Sequence, residues 1–319
     1  MTSFSLVADV GGTNTRVALA CGKDLQTDSI IKHRNADYEG LPQLLTAYLE
    51  GQNNPACKRA AVAIAGPVKD GAGRLTNLNW EIDKDTLVHL SGADRGAVMN
   101  DLQAQGHALG HIDDANLVTL KQGKDENPNA AMLVIGVGTG FNCAPVFQTA
   151  KGRFVPPSEA GHLTFAARGA DQWDLSQFLE TQLGHVGVED VLSGRGMERC
   201  YAWASAKAGA NKTATTAEIL TAAKADDPVA IEAIGAFVTA LGNVTGDLAL
   251  TLLPFGGIYL IGGMSRAVAP WFDRCGFDAA MTDKGRFGDF LNAFSVRLVE
   301  DDYAALSGCA HFLARSDNQ

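Results

Sequence analysis

The feature that most constrains the fold of this 319-residue chain is a pattern that occurs twice: an apolar strand, a glycine turn and a second apolar strand. The first copy spans residues 4–20 and turns at Gly11-Gly12, and the second spans residues 130–147 and turns at residues 136–140. Apolar runs bounded by glycine are typical of paired strands. Two copies about half a chain apart predict two related lobes, although chance recurrence of a common hairpin is the alternative.

Further apolar runs at 60–65, 96–99 and 257–261 predict buried strands, each followed by turn residues. Helix-like patterns occupy 42–51, 102–109, 172–183, 196–208, 216–225, 229–253 and 303–315. The 229–253 segment is long and apolar, but Glu232, Asn243 and Asp247 interrupt it. It is therefore predicted to be a buried helix and not a membrane span.

The charge balance limits the classes of partner. The chain has 26 basic and 36 acidic residues, a net charge of −10, and no run of lysine or arginine. We therefore expect neither nucleic acid nor an anionic membrane as a partner. The six cysteines are scattered without a Cys-x-x-Cys pair, which indicates reduced thiols. No basic residue precedes Arg16, so we expect no signal peptide and a cytoplasmic location.

The glycine turns predict a phosphate-binding site. Turns rich in glycine let backbone N–H groups converge on an anion, and Thr13 and Thr139 add hydroxyl donors at matching places. Asp9 precedes the first turn, where its carboxylate could hold Mg²⁺ directly or through water. A third glycine pair is Gly262-Gly263. Each turn taken alone is more typical of a plain hairpin, and it is the two turns with Asp9 and the third glycine pair together that favour phosphate binding. Neither a P-loop nor a dinucleotide fingerprint is present.

Asn100 and Asp101 stand where the 96–99 strand ends. A carboxylate at this place either caps the next helix or acts in catalysis. In the catalytic interpretation, Asp101 accepts the proton of a substrate hydroxyl that attacks a phosphoryl group, and Asn100 holds a neighbouring hydroxyl.

Two further acidic positions and a histidine are candidates for binding a polyhydroxylated substrate. Glu159 and His162 lie in a turn-rich segment, and together they can accept and donate hydrogen bonds to vicinal hydroxyls. Glu189 is a candidate for the same role or, alternatively, a helix-start acid that interacts with the helix dipole. Spacing does not separate these interpretations.

The ordered set of these motifs resembles the bacterial glucokinases, and within them the branch found in proteobacteria. The matching motifs are Asp9-Val10-Gly11-Gly12-Thr13-Asn14, Asn100-Asp101, Glu159-Ala160-Gly161-His162, residues 189–194, Gly262-Gly263 and residues 283–287. The resemblance extends from residue 4 to residue 312, nearly the whole chain.

The resemblance implies an α/β, two-lobed actin-like ATPase (ribonuclease H-like) fold with an interlobe cleft. The small lobe would be residues 1–111 with 301–319, and the large lobe residues 112–300. It implies ATP-dependent phosphorylation of the glucose 6-hydroxyl in glycolysis by a cytoplasmic homodimer that uses ATP and Mg²⁺.

The resemblance also implies residue roles. Asp101 would be the catalytic base and Asp9 the metal-holding carboxylate. The glucose-binding positions would be Asn100, Glu159, His162 and Glu189. The ATP-binding positions would be Asp9, Val10, Gly11, Gly12, Thr13, Asn14, Gly138, Thr139, Gly140, Gly262 and Gly263.

Three departures from the family pattern accompany this resemblance. No cysteine lies between Cys143 and Cys200, so the structural zinc of a related repressor/kinase branch is not expected. Asn142 stands where the second turn usually has glycine, and we expect the turn to survive because asparagine tolerates left-handed backbone. Ala160 replaces a glycine beside Glu159, which predicts a reshaped sugar pocket.

Three alternatives remain at the level of sequence. One is a kinase of the same fold that acts on another hexose or an N-acetylhexosamine. Another is a non-kinase actin-like ATPase, which would need no Glu159, His162 and Glu189 set. A sugar-responsive repressor would need a DNA-binding extension before Asp9, for which we expect no room. The sequence leaves open ATP against polyphosphate as donor, allosteric regulation and the oligomeric state.

Overall fold

The computed structural model describes residues 3–75, 78–150 and 152–315. The chain forms two compact units. Unit 1 comprises the residues up to Asp113, the segment Thr149–Pro157 and the residues from Asp301 onward, and unit 2 comprises Asp114–Gln148 and Ser158–Glu300.

The strands in chain order are β1 (Phe4–Val10), β2 (Asn14–Cys21), β3 (Asp24–Leu25), β4 (Ile31–Arg34), β5 (Cys57–Ile64), β6 (Val68–Lys69), β7 (Ala72–Arg74), β8 (Glu81–Asp83), β9 (Arg95–Asn100), β10 (Leu117–Lys121), β11 (Met132–Val137), β12 (Phe141–Thr149), β13 (Gly152–Phe154), β14 (Ile258–Ile261) and β15 (Val296–Val299). The α-helices are α1 (Leu41–Gly51), α2 (Lys84–Ser91), α3 (Asp101–Ala108), α4 (Gly169–Leu183), α5 (Val188–Val191), α6 (Gly194–Lys207), α7 (Thr216–Lys224), α8 (Pro228–Leu252), α9 (Gly263–Val268), α10 (Phe272–Cys275), α11 (Phe277–Thr282) and α12 (Ala304–Arg315).

Unit 1 is built on a sheet in the order β3-β2-β1-β5-β9, with β4 also paired to β2. Strands β1, β5 and β9 run parallel, and β1 and β2 form an antiparallel hairpin. One face of β1 packs Leu6 and Ala8 against the apolar side of α1, and the other packs Val7 against α12. Because both faces of this sheet are covered, its central strands are near-continuous apolar runs.

Helix α12 packs closely on α3, with Gly308 at the contact. A Cβ at Gly308 would lie 1.8 Å from the carbonyl oxygen of Ala104, so only glycine permits this approach. The last helix of the chain therefore completes the core of the unit that begins with β1.

Unit 2 repeats this plan. Its sheet places its strands in the order β10-β15-β14-β11-β12. Strands β11 and β12 form an antiparallel hairpin, while β11, β14 and β15 run parallel. A hairpin followed by two parallel strands is the arrangement of β2, β1, β5 and β9 in unit 1. The recurrence supports the prediction of two related lobes.

Helix α8 is the central helix of unit 2. Its length and composition would allow a membrane span, but 61% of its most apolar window is buried within the protein. Ala233, Phe237 and Leu241 are fully buried in the unit 2 core. The helix packs against α6, α7 and α11. A core helix passes the same length and composition test, and the predicted buried helix is confirmed.

The predicted strands and helices are present, with boundaries shifted by three residues or fewer. The sequence analysis missed strands β3, β4, β10, β13 and β15, the small sheet of β6, β7 and β8, and helices α2, α10 and α11. Most of these elements have five residues or fewer, which is too short for a clear hydrophobic period. The segment Thr149–Pro157, predicted in the larger lobe, belongs to unit 1. There the Arg153 guanidinium donates to carbonyl oxygens at the end of α3, including that of His107 at 2.9 Å. The division into a small lobe of residues 1–111 with 301–319 and a large lobe of residues 112–300 remains a prediction.

Candidate active site

The first glycine turn joins β1 to β2 in unit 1. The Gly11 N–H donates to the Asn14 carbonyl oxygen at 3.0 Å and closes the turn, while Gly12 and Thr13 are exposed. Exposed backbone amides and a hydroxyl at such a turn are able to bind an anion.

Asn35, which the sequence analysis missed, anchors this turn. Its side-chain amide donates to the Gly11 carbonyl oxygen at 2.7 Å, and its backbone N–H donates to the Thr13 carbonyl oxygen at 3.0 Å. The Thr15 hydroxyl donates to Asn35 Oδ1 at 2.8 Å. Asn35 is only 3% exposed, so these bonds form away from water. No motif marks it, because it comes from a separate segment 24 residues after Gly11.

Asp9 lies at the end of β1, immediately before the turn. Its carboxylate is 3.7 Å from the Arg16 guanidinium, and its side chain is 19% exposed. Burial raises the pKa of Asp9, and the nearby Arg16 charge opposes that rise. A desolvated carboxylate with one distant counter-charge fits a cation-binding role. Within the described residues there is no cluster of three or more metal-ligating side chains.

Asn100 and Asp101 lie at the same edge of the unit 1 sheet as the glycine turn. Val10, Ile64 and Asn100 are in register at the carboxyl ends of β1, β5 and β9. Adjacent strands are about 5 Å apart, so this register places Asn100 roughly 10 Å from Val10. The sheet topology therefore brings two predicted motifs together.

Asn100 caps helix α3. Its Oδ1 accepts from the Leu102 N–H at 2.9 Å, its Nδ2 donates to the Gly66 carbonyl oxygen at 3.2 Å, and its backbone N–H donates to Gln103 at 3.0 Å. Asp101 occupies the first helical position, and one carboxylate oxygen accepts from the Leu102 N–H at 2.9 Å. The capping interpretation thus holds for Asn100, and Asp101 is partly exposed beside it.

The second glycine turn joins β11 to β12 in unit 2. The Gly138 N–H donates to the Gly140 carbonyl oxygen at 2.9 Å, and the Gly138 carbonyl oxygen accepts from the Gly194 N–H at 2.8 Å. Thr139 is exposed, as Thr13 is in the first turn. Gly262 has φ +96°, and a Cβ there would lie 2.4 Å from the Val137 carbonyl oxygen. Gly262 of the third glycine pair therefore packs against the strand that leads into this turn.

Glu189 contacts the second turn directly. Its Oε2 accepts from the Phe141 N–H at 2.9 Å, and its Oε1 is 3.9 Å from the Arg195 guanidinium. It lies in the first turn of α5, but Asp190 supplies the cap, accepting from the Gly187 N–H at 2.9 Å. Glu189 is thus held against the glycine turn and is not the residue that caps the helix.

Glu159 and His162 lie in a 3₁₀ turn that packs on Phe141 and Glu189. Both side chains are exposed. A Cβ at Gly161 would lie 2.2 Å from the Phe141 carbonyl oxygen and 3.2 Å from Glu189 Cβ, so this turn approaches the strand closely. The Val188 N–H donates to the Leu163 carbonyl oxygen at 2.8 Å. Unit 2 therefore brings Glu159, His162, Glu189 and the second turn into one region.

Asn142 does not require the left-handed backbone that the sequence suggested. It is a strand residue of β12 paired with Gly136, and it is not among the described residues with positive φ. The turn is present, as expected, but for a different reason: it closes at Gly140, before Asn142. Its side chain instead bonds to the segment that carries Glu159, since the Ala160 N–H donates to Asn142 Oδ1 at 2.9 Å.

Two sheets of the same plan, each with an exposed glycine–threonine turn at its hairpin, and the exposed side chains of Glu159 and His162 fit a sugar kinase of the actin-like ATPase class. The family model described as Glucokinase matches residues 6–316. A glucokinase of Marinobacter nauticus is 32% identical, with 98% of each chain covered. A glucokinase of Chromohalobacter salexigens is 33% identical, again with 98% of each chain covered.

Among solved structures, a glucokinase from an Antarctic psychrotroph is 30% identical, covers 100% of both chains and has a TM-score of 0.84. The glucokinase of Balamuthia mandrillaris solved with glucose has a TM-score of 0.79 at 20% identity, covering 98% of this chain and 94% of that one. At 20% identity, the similarity to the Balamuthia mandrillaris structure supports the fold alone. The chain belongs to the glucokinase family. The predicted family, actin-like fold and enzyme class are confirmed, and a non-kinase ATPase is not favoured.

Proposed function

We propose that this enzyme transfers the γ-phosphoryl group of ATP to the 6-hydroxyl of glucose, with Asp101 as the general base. The observation that carries the proposal is the register that puts Asp101 and the first glycine turn at one edge of the unit 1 sheet. A proton acceptor and a phosphate-binding turn are the components that phosphoryl transfer to an alcohol requires.

In the proposed reaction, Asp101 accepts the proton of the glucose 6-hydroxyl while the hydroxyl oxygen attacks the γ-phosphorus. The bond between the γ-phosphorus and the β–γ bridging oxygen breaks, and ADP leaves with both electrons of that bond. Glu159, His162 and Glu189 hold other glucose hydroxyls. We include Asn100 among the sugar-binding residues, although its Oδ1 also caps α3 and its Nδ2 also donates to the Gly66 carbonyl oxygen.

The phosphates of ATP are proposed to bind the turn amides and the hydroxyls of Thr13 and Thr139. The complete set comprises Asp9, Val10, Gly11, Gly12, Thr13, Asn14, Gly138, Thr139, Gly140, Gly262 and Gly263. The glycines of these turns have no Cβ to block access to their backbone N–H groups, and such exposed N–H groups bind phosphate in other proteins.

Mg²⁺ fits this set of residues. Kinases commonly hold Mg²⁺ with one or two carboxylates, water and the substrate phosphates, so no three-carboxylate cluster is needed. Asp9 would hold the ion, directly or through water, because its carboxylate is partly buried and its Arg16 counter-charge lies 3.7 Å away. When bound, the ion would neutralise phosphate charge that develops during transfer.

The remaining assignments are also proposals. We place the enzyme in the cytoplasm, in glycolysis, as a homodimer without nucleic-acid or membrane partners. The acidic charge of −10 and the partly buried α8 agree with this placement. Another hexose or an N-acetylhexosamine is not favoured as the substrate, because the matching family model and the relatives at 32–33% identity are glucokinases.

The deciding experiment measures ADP formation at fixed Mg²⁺–ATP with glucose, mannose, N-acetylglucosamine or no sugar. We expect the highest kcat/KM with glucose and a low rate without sugar. A higher kcat/KM with another sugar would reassign the substrate. Rapid ATP hydrolysis that no sugar stimulates would overturn the kinase proposal.

A further inference from the structure

Asn142 makes four side-chain hydrogen bonds, and three of them involve the segment that carries Glu159. Its Nδ2 donates to the Ser158 carbonyl oxygen at 2.6 Å. Its Oδ1 accepts from the Ala160 N–H at 2.9 Å and from the Ser158 hydroxyl at 3.0 Å. The same oxygen accepts from the Cys143 N–H at 2.8 Å. The Ser158 hydroxyl also contacts the Cys143 carbonyl oxygen.

These hydrogen bonds hold the peptide groups on both sides of Glu159. The Ser158 carbonyl belongs to the peptide group before Glu159, and the Ala160 N–H belongs to the peptide group after it. Fixing both peptide planes fixes the two backbone dihedrals of Glu159, which are φ −129° and ψ 54°. These values lie outside the common helix and strand regions, so neither a regular helix nor a strand ladder holds the backbone of Glu159.

The direction of the Glu159 side chain follows from this restraint, since the Cα–Cβ bond is set by the backbone. Glu159 itself is exposed and gains no comparable fixation from burial. Asn142 also follows Phe141 directly, and the Phe141 N–H donates to Glu189 at 2.9 Å. Two adjacent residues of β12 thus hold the two acidic residues. Asn142 holds the backbone of Glu159 through its side chain, and Phe141 holds the Glu189 carboxylate through its backbone N–H.

We propose that Asn142 is a positioning residue that orients Glu159 for binding the sugar and thereby sets the affinity for glucose. The inference rests on the proposed function, because it takes Glu159 as a sugar ligand. Without the clamp, Glu159 samples several backbone conformations, and the apparent affinity falls by the fraction of molecules in the binding-competent one. The nucleotide turn is closed by its own Gly138–Gly140 bond, which does not involve Asn142.

The test compares Asn142→Ala with the wild type. Glucose affinity is measured by calorimetry without nucleotide, and KM values for glucose and ATP are measured at saturating co-substrate. We expect the glucose Kd and KM to rise about tenfold, since freeing one residue's backbone is worth ~1–2 kcal/mol. The ATP KM should change less than about twofold, because the turn amides stay in place.

Ser158→Ala removes one of the donors to Asn142 Oδ1 and is a milder second variant. We expect a smaller rise in the glucose Kd in the same direction. Asn129→Ala is the matched control, because Asn129 is exposed in a loop of the same unit, and its values should equal those of the wild type. Thermal unfolding reports whether each variant is folded.

The inference is overturned if folded Asn142→Ala binds glucose with wild-type affinity, or if only its ATP KM rises. If Asn142→Ala is not recovered folded, Asn142→Asp decides, because it keeps the acceptor for the Ala160 N–H and loses the donor to the Ser158 carbonyl oxygen, and an unchanged glucose Kd then overturns the inference. A wild-type enzyme without glucose-dependent ADP formation would instead refute the proposed function. The two failures are therefore distinguishable.

Discussion

The Asn35 side-chain amide donates to the carbonyl oxygen of Gly11 at 2.7 Å and so ties the first glycine turn to a segment after β4. The Asn35 backbone N–H holds the Thr13 carbonyl oxygen at 3.0 Å. The carbonyl oxygens of two turn residues, Gly11 and Thr13, are therefore both held by Asn35. The turn is preorganised by a buried residue outside the motif.

Asn35→Ala should raise the KM for ATP about tenfold, because a mobile turn must be ordered again at each binding event. We also expect a loss of stability of about 1–3 kcal/mol, since the Gly11 carbonyl and the Thr15 hydroxyl lose a partner. Steady-state kinetics at saturating glucose and denaturant unfolding measure the two effects. Asn79→Ala, at an exposed position of the same unit, is the control. An unchanged ATP KM in a folded variant would contradict this role.

Asp101→Asn should lower kcat by ~10²–10⁴-fold, the usual contribution of a general base. Glucose binding should change little, because the amide keeps the size and an oxygen acceptor. Rapid-quench or coupled assays give kcat, and calorimetry gives the glucose Kd. Asp28→Asn removes an exposed carboxylate of the same unit and should leave both values unchanged. Near-normal turnover by Asp101→Asn would exclude it as the base.

Asp9→Asn should separate stability from activity. Burial raises the pKa of Asp9, so ionising it in the folded protein is unfavourable, and its contribution to stability is lost as pH rises through the folded pKa. The neutral amide removes that penalty, and we expect an unchanged or higher Tm at pH 8. The rate of ADP formation should fall at least about 10²-fold, because the carboxylate is lost from the phosphate site. A clearly lower Tm with full activity would reverse this assignment.

Gly161→Ala should disturb the contact between the 3₁₀ turn and β12. The added Cβ would lie 2.2 Å from the Phe141 carbonyl oxygen, and backbone on both sides must move. Overpacking of this kind costs about 1–3 kcal/mol, and we expect a raised KM for glucose as well. Gly235→Ala in α8 is the contrasting substitution, since a Cβ there meets nothing within 4 Å. It should stabilise the protein by up to about 1 kcal/mol. Equal unfolding free energies for the two variants would count against the predicted steric conflict.

His107 should make the protein less stable in acid. Burial, followed by the charges of Arg315, Arg153 and His311, lowers the pKa of His107 to about 3. Because the unfolded state takes up a proton near pH 6.5 and the folded state does not, stability falls as pH decreases from about 6.5 toward 3. His107 alone accounts for about 2 kcal/mol of lost stability between pH 7 and pH 5.

Replacing His107 with Leu should reduce the loss of unfolding free energy between pH 7 and pH 5 by about that amount. Denaturant unfolding at the two pH values measures it. Part of the slope remains, because burial also lowers the pKa values of His111 and His311. An identical slope in wild type and variant would show that His107 titrates normally.

The linear pattern was sufficient for most of the secondary structure. Strand β1 begins and ends where its apolar run does, and α8 was recognised as a core helix, because hydrophobic periodicity is local information. The short β6, β7 and β8 strands were not recognised. Each of them has only two or three residues, which is too few to show an alternating apolar pattern.

The sequence by itself determined the family, the α/β class and the candidate residues, since glycine turns and carboxylates at strand ends are recognisable without a structure. Only the tertiary structure decided what those residues contact. It made Asn100 a helix cap, placed Glu189 against the Phe141 amide, and made Asn142 a clamp on Glu159 rather than a turn residue. The buried anchor Asn35 could be found in no other way. Hydrogen bonds between segments far apart in the chain depend on three-dimensional proximity, which no local pattern encodes.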